Sequence, residues 1–247
     1  MALLGRLIVA TMPLAPKFIV RMVASRYVAG SELEDALSTM NRLSSEGACF
    51  TVDVLGEEIT TLDEARFFLD EYSSLIDSIV ESKIDAHISI KPTAFGLLID
   101  SESAYHNILQ ITKKASENDI FVRLDMEDSR VTDSTIDIMI RIRDDGLSNI
   151  GVVLQGRLLR TISDIEKICD RLGADSDFRI CKGIYLEPEE IAHTGYHGIV
   201  NATNEAIEEM LKRGAYTAIA SHDFPVIDKT LELLQKYNLP PSGNKES

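Results

Sequence analysis

The sequence predicts an α/β fold on a parallel sheet, of the (β/α)8 TIM-type barrel class, with about six β/α units in this chain and a helical lead before them. Three observations carry that prediction. Six short apolar runs recur along the chain: ACFTVDVLGE (from Ala48), AHISIKPTAF (from Ala86), FVRLDMEDS (from Phe121), NIGVVLQGR (from Asn149), FRICKGIYLE (from Phe178) and AYTAIASHD (from Ala215). They are β-branched and nearly continuously apolar, as strands covered on both faces are. Their starts lie roughly 30–40 residues apart, which is room for one strand and one crossover helix. Each run ends in charged or polar residues, and strand C-termini form the active face of such a barrel.

In chain order, residues 1–30 are read as a helical lead and residues 31–247 as one incomplete barrel domain. The opening MALLGRLIVATMPLAPKFIV is apolar, but Arg6, Pro13 and Pro16 interrupt it. It is therefore read as a helix packed on the body, not as a signal peptide or a span. Attachment to a membrane surface is the alternative. Ser31 with Glu34 forms a capping-box pattern, Leu33, Leu37, Met40 and Leu43 share a stripe, and Gly47 stops that helix. Thr61 with Glu64 repeats the device before EARFFLDEYSSLIDSIVES. Asp133 is the expected cap of the helix carrying Ile136, Met139, Ile140 and Ile142. Ser163 with Glu166 is the expected capping box of DIEKICDRLG, and Gly214 the C′ glycine of NEAIEEMLKRG. The tail, with Pro240, Pro241 and Gly243, reads as a connection leaving a helix.

Composition narrows the function classes. With 247 residues, 45% hydrophobic, the chain can bury a substantial core. A net charge of −15 leaves no basic face, so nucleic acid is not an expected partner. Cys49, Cys169 and Cys181 lack CxxC spacing and are read as reduced core residues of a cytoplasmic protein. His193 and His197 have no third ligand or HExxH context, so no metal is expected. No GxGxxG or P-loop follows the first strand, which argues against a Rossmann fold.

The strand ends supply the candidates for chemistry: Asp53 and Glu57, Lys91, Arg123 with Asp125 and Glu127, Gln155, Arg179 with Lys182, and His222 with Asp223. Lys91 is the telling one. It directly follows alternating apolar residues, and a buried ammonium needs a partner. Arg123, Asp125 and Glu127 share a strand face by spacing. Arg179 and Lys182 differ by three, so one of them leaves regular strand geometry. Gly183 would let a bulky ligand approach the backbone closely.

These residues carry a resemblance. RYVAG (26–30), DVLGE (53–57), ISIK (88–91), FVRLDMED (121–128), VVLQ with RT (152–161), KGIYLEP (182–188) and SHD (221–223) occur in the order and spacing of the proline dehydrogenases. The likeness runs from about residue 18 to the end, and FVRLDMED with LQ…RT and KGxYxEP is specific. It implies an FAD-dependent barrel enzyme that oxidises L-proline to Δ1-pyrroline-5-carboxylate and passes electrons to a quinone. It further implies a cytoplasmic protein, with peripheral contact at the inner face of the membrane as an alternative. By this resemblance the catalytic residues are Lys91, Asp125 and Arg179. The substrate-binding residues are Lys91, Ile180 and Tyr185. The cofactor-binding residues are Gln155, Arg179, Lys182, Gly183, Ser221 and His222. The family continues with two further strands and a final helix that hold the other side of the substrate. Little or no proline oxidation is therefore expected from this chain alone, and a complementing C-terminal polypeptide or homo-oligomer is an expected partner. The alternatives are a non-catalytic or split flavin-binding barrel and a Schiff-base aldolase-like barrel using Lys91 or Lys182.

Overall fold

A computed structural model describes residues 28–30 and 33–240. The chain divides into two compact units, residues 1–50 with 78–85 and residues 51–77 with 86–247. The leading segment and the Ser31 cap lie outside the described residues.

In the first unit, α1 (Leu33–Ser44) has Glu34 and Asp35 in its first turn and Arg42 in its last, the charge order that the helix dipole favours. It stops at Gly47, which adopts φ +90°. The Phe50 amide then donates to the Asp85 carbonyl at 3.0 Å. Cys49 is exposed and hydrogen-bonds Asp85 at 3.1 Å. The core position expected for Cys49 is therefore corrected: it stands just before the strand, where its side chain meets a carboxylate and solvent.

The sheet has six strands in sequential order: β1 (Phe50–Val52), β2 (Ala86–Ile90), β3 (Val122–Leu124), β4 (Ile150–Gln155), β5 (Asp177–Cys181) and β6 (Tyr216–Ile219). From β2 to β6 every pair is parallel. Between the strands run α2 (Glu64–Ser82), α3 (Ser101–Ser116), α4 (Thr132–Asp144), α5 (Thr161–Leu172) and α6 (Tyr196–Lys212), with α7 (Phe224–Lys236) after β6. All six predicted strands and the α/β alternation are present. This is the parallel barrel class, with six β/α units among the described residues.

The sheet curls. A flat sheet would hold β1 and β5 roughly 19 Å apart, yet Arg179 on β5 donates to Thr51 on β1 at 2.7 Å. That contact defines the concave side. The register puts Ser89, Arg123 and Gly151 in one row, and Val153, Arg179 and Ala218 in another. By the two-residue alternation these face the same side. Ile88, Ile90, Val122, Leu124, Val152, Phe178 and Ile180 face the other side, all with 0% exposure. They form the apolar layer beneath the helices.

Helix starts differ from expectation in three places. Val131, not Asp133, occupies the cap of α4. Asp133 lies one residue inside and pairs with Arg160 at 3.1 Å. The helix α5 begins at Thr161, so Ser163 is interior, and its hydroxyl donates to the Arg160 carbonyl at 2.7 Å. At α2 only half of the box forms: Glu64 accepts from the Thr61 amide at 2.9 Å. In each case tertiary contacts or a competing local bond took the side chain that spacing had assigned to the cap.

Candidate active site

The concave side of the second unit carries polar residues in two layers. The deeper layer is an ion pair. Arg123, 1% exposed, meets Asp177 at 2.7 Å and lies over the Phe121 ring at 4.9 Å. Gly151 makes room for it, because a Cβ there would stand 3.1 Å from Arg123 Nη1 and 2.5 Å from the Asp177 carbonyl. Arg123 is thus not a rim residue. It fills the interior and neutralises a buried acid.

The upper layer follows the strand ends. Lys91, one residue past β2, lies 3.2 Å from Asp53 and 3.5 Å from Asp125. Burial pulls its ammonium downward, but Asp125 and Asp53 outweigh that, and the net shift is upward. Asp125 also accepts from the Ser89 hydroxyl at 2.6 Å. Tyr72 buttresses the same strand ends. Its hydroxyl donates to the Ser89 carbonyl at 2.7 Å and accepts from the Val54 amide at 3.0 Å.

Arg179 has no ion-pair partner among the described residues. Burial and the neighbouring Arg123 guanidinium push it below its ordinary value, so it is a cation short of an anion. Gln155, 2% exposed, donates to the carbonyls of Met126 at 3.0 Å and Glu127 at 2.8 Å. Its Oε1 is buried without a hydrogen-bond partner. A buried orphan acceptor is costly unless a ligand or water satisfies it.

Beyond β5, Gly183 takes φ +93°, a conformation that favours glycine. Lys182, at the strand end, pairs with Asp223 at 2.6 Å. Asp223 also accepts from the Tyr196 hydroxyl at 2.9 Å, and its amide donates to Ser221 Oγ at 3.1 Å. His222 is exposed beside them. The Tyr185 hydroxyl donates to Glu57 at 3.2 Å. Burial, then the nearby Glu57 charge, raises that phenol above its usual range.

Sequence reasoning named Lys91, Asp125, Gln155, Arg179, Lys182, Gly183, Tyr185, Ser221 and His222; all but Arg179 fall at strand ends or in the loops directly after them, and Arg179 lies at the middle of β5 on the concave side. Ile180 does not join them. It pairs in register with Leu154 and Ile219 on the helix side of the sheet and has 0% exposure. The alternation that turns Arg179 inward turns Ile180 outward. Three residues were missed. Asp177 stands one residue before the run read from Phe178. Thr93 joins its amide and hydroxyl to Glu127 at 3.0 and 2.5 Å. Arg157, 7% exposed, donates to the Tyr185 carbonyl at 2.5 Å. A charged residue directly after QG at the end of an apolar run was the available signal for it.

The proline dehydrogenase family model matches residues 36–240. Proline dehydrogenase 1 of Bacillus subtilis subsp. natto is 32% identical over 222 residues, covering 90% of this chain and 72% of that protein. Proline dehydrogenase of Deinococcus radiodurans is 30% identical over 210 residues, 83% of this chain and 67% of that protein. A crystal structure of proline utilization A from Bdellovibrio bacteriovorus matches 91% of this chain with a TM-score of 0.82 at 19% identity, which bears on the fold. This chain spans 28% of that larger one. Sequence identity over most of the length and the six-stranded parallel barrel architecture agree, and the chain belongs to the proline dehydrogenase family.

Proposed function

We propose that this chain is an FAD-dependent oxidoreductase acting on L-proline, with Δ1-pyrroline-5-carboxylate as product and a quinone as the final electron acceptor. The observation that carries the reading is the buried, unsatisfied Gln155 Oε1 at the end of β4, directly beneath the side-chain-free Gly183. An orphan acceptor suits the edge of a flavin ring, which offers an N–H donor. Gln155, Arg179, Lys182, Gly183, Ser221 and His222 are the residues that would hold FAD. When bound, FAD supplies the two-electron acceptor.

The chain's own residues handle the substrate. Lys91 offers its ammonium to the proline carboxylate, and Asp125 with Ser89 fixes where that ammonium sits. Tyr185, held by Glu57, forms a wall of the substrate pocket. Arg179 keeps a positive charge beside the cofactor. Because Lys91 is already shared between Asp53 and Asp125, its charge is largely spent, and its grip on a third carboxylate is weak. The Schiff-base alternative loses support for the same reason. A lysine nucleophile needs a depressed pKa, and here the two aspartates raise that of Lys91, while Lys182 is tied to Asp223.

The test is anaerobic titration of the protein loaded with FAD. The expected result is uptake of FAD with a flavin spectrum and slow bleaching by L-proline, with weak saturation, but none by D-proline. Bleaching is lost in Lys91→Met. A protein that takes up no FAD, or bleaches equally with both enantiomers, overturns the reading.

A further inference from the structure

Arg157 is a buried cation that has no ion-pair partner among the described residues. It lies two residues past Gln155 and is 7% exposed. Its guanidinium donates to the Tyr185 carbonyl at 2.5 Å and to the His193 carbonyl at 3.5 Å, while its Nε is left buried without a partner. Its backbone ties down the same segment: the Arg157 amide donates to the Lys182 carbonyl at 3.1 Å, and the His193 amide donates to the Arg157 carbonyl at 2.8 Å. A Cβ built on Gly183 would stand 2.7 Å from Arg157 Cδ and 2.6 Å from Gln155 Oε1. Arg157 therefore packs directly beneath Gly183 and beside the orphan acceptor.

A buried guanidinium held by carbonyls has no counter-charge in contact with it, and a nearby charge in a low-dielectric setting acts strongly. An aspartate or glutamate partner would have cancelled that field. The loop it clamps, Lys182 to His193, carries three of the residues assigned above: Lys182, Gly183 and Tyr185.

We infer that Arg157 is a positioning residue for the cofactor side of the site: it pins the Lys182–His193 segment to the end of β4 and supplies an uncompensated positive charge that favours the reduced, anionic flavin. The inference rests on the flavin reading above and adds to it a residue that touches neither substrate nor reacting atoms. The charge acts through space on the cofactor's electronics, and the guanidinium hydrogen bonds act through the Tyr185 and His193 carbonyls.

Two measurements on the full chain test it, comparing wild type with Arg157→Met and Arg157→Lys. Amide hydrogen exchange, run without flavin, reads the pin. Exchange across residues 184–193 is expected to quicken about tenfold in Arg157→Met, the scale of losing hydrogen bonds from a charged donor, with the β2–β4 core unchanged. The flavin midpoint potential reads the charge. It is expected to fall in Arg157→Met and to stay near wild type in Arg157→Lys, which keeps the charge and loses the planar fork. Unchanged exchange in Arg157→Met overturns the pin. Faster exchange with an unchanged potential reduces Arg157 to a structural residue and overturns the inference. If the wild type takes up no flavin, the functional reading fails, and the exchange arm still decides the pin by itself.

Discussion

The buried Arg123–Asp177 pair lends itself to a quantitative test. Both side chains are almost sealed from water, at 2% and 4% exposure, and meet at 2.7 Å. Taking two charges out of water costs several kcal/mol per ion, and their mutual attraction roughly offsets that cost. Removing one partner leaves the other charged and buried without its ion pair. Arg123→Met should therefore destabilise the fold by about 3–5 kcal/mol, a large part of the roughly 5–15 kcal/mol that holds a typical domain together. The double replacement Arg123→Met with Asp177→Leu removes both charges and keeps an apolar filling, so it should recover to within about 1 kcal/mol of wild type or better. Urea unfolding with unchanged m-values measures all three proteins. The reasoning is refuted if the single variant loses less than about 1 kcal/mol, or if the double variant is as unstable as the sum of the two singles. The Met variant has a second consequence. Arg179 loses the like-charged neighbour that pushes it down, so any change in flavin binding traces the electrostatic link between the two layers.

Two further outcomes are expected. Gly183→Ala places a side chain in a backbone region with φ +93° and against Gln155 Oε1 and Arg157 Cδ. It should cost about 1–3 kcal/mol in thermal or urea unfolding and weaken FAD binding; a variant with wild-type stability would show that the loop adjusts freely. Glu127 is 3% exposed, and burial raises its carboxyl above the ordinary 4.5, against the hydrogen bonds from Thr93 that lower it. A raised carboxyl contributes stability that is present below the unfolded pKa and declines as pH rises through the folded one. The stability of wild type relative to Glu127→Gln should therefore fall as pH rises through the window just above 4.5. A difference that is flat or grows with pH in paired urea titrations counts against this account.

Much of the site could be read before any fold was available, for a simple reason. A lysine after four alternating strand residues, as at Lys91, must end up either paired or exposed at a strand terminus. In a parallel α/β chain strand termini converge. Gln155 and Arg179 were legible in the same way, because each closes or interrupts an apolar run. Ile180 was misplaced because resemblance assigns a role to a position, whereas strand alternation decides which way the side chain points. The cap assignments at Asp133 and Ser163 failed because spacing says nothing of Arg160, which reaches both Asp133 and Asp164 from the start of α5.

The sequence by itself determined the elements, their parallel class and the residues at strand ends, since all of these follow from local periodicity and from the cost of burying charge. Tertiary structure decided which of the charges cancel. Arg123 and Asp177 are 54 positions apart in sequence and neutralise one another. Lys91 divides its charge between Asp53 and Asp125. Arg179 and Arg157 are left without an acid partner among the described residues. Pairing is a matter of distance through space between residues on different strands, and curling the sheet is what sets those distances.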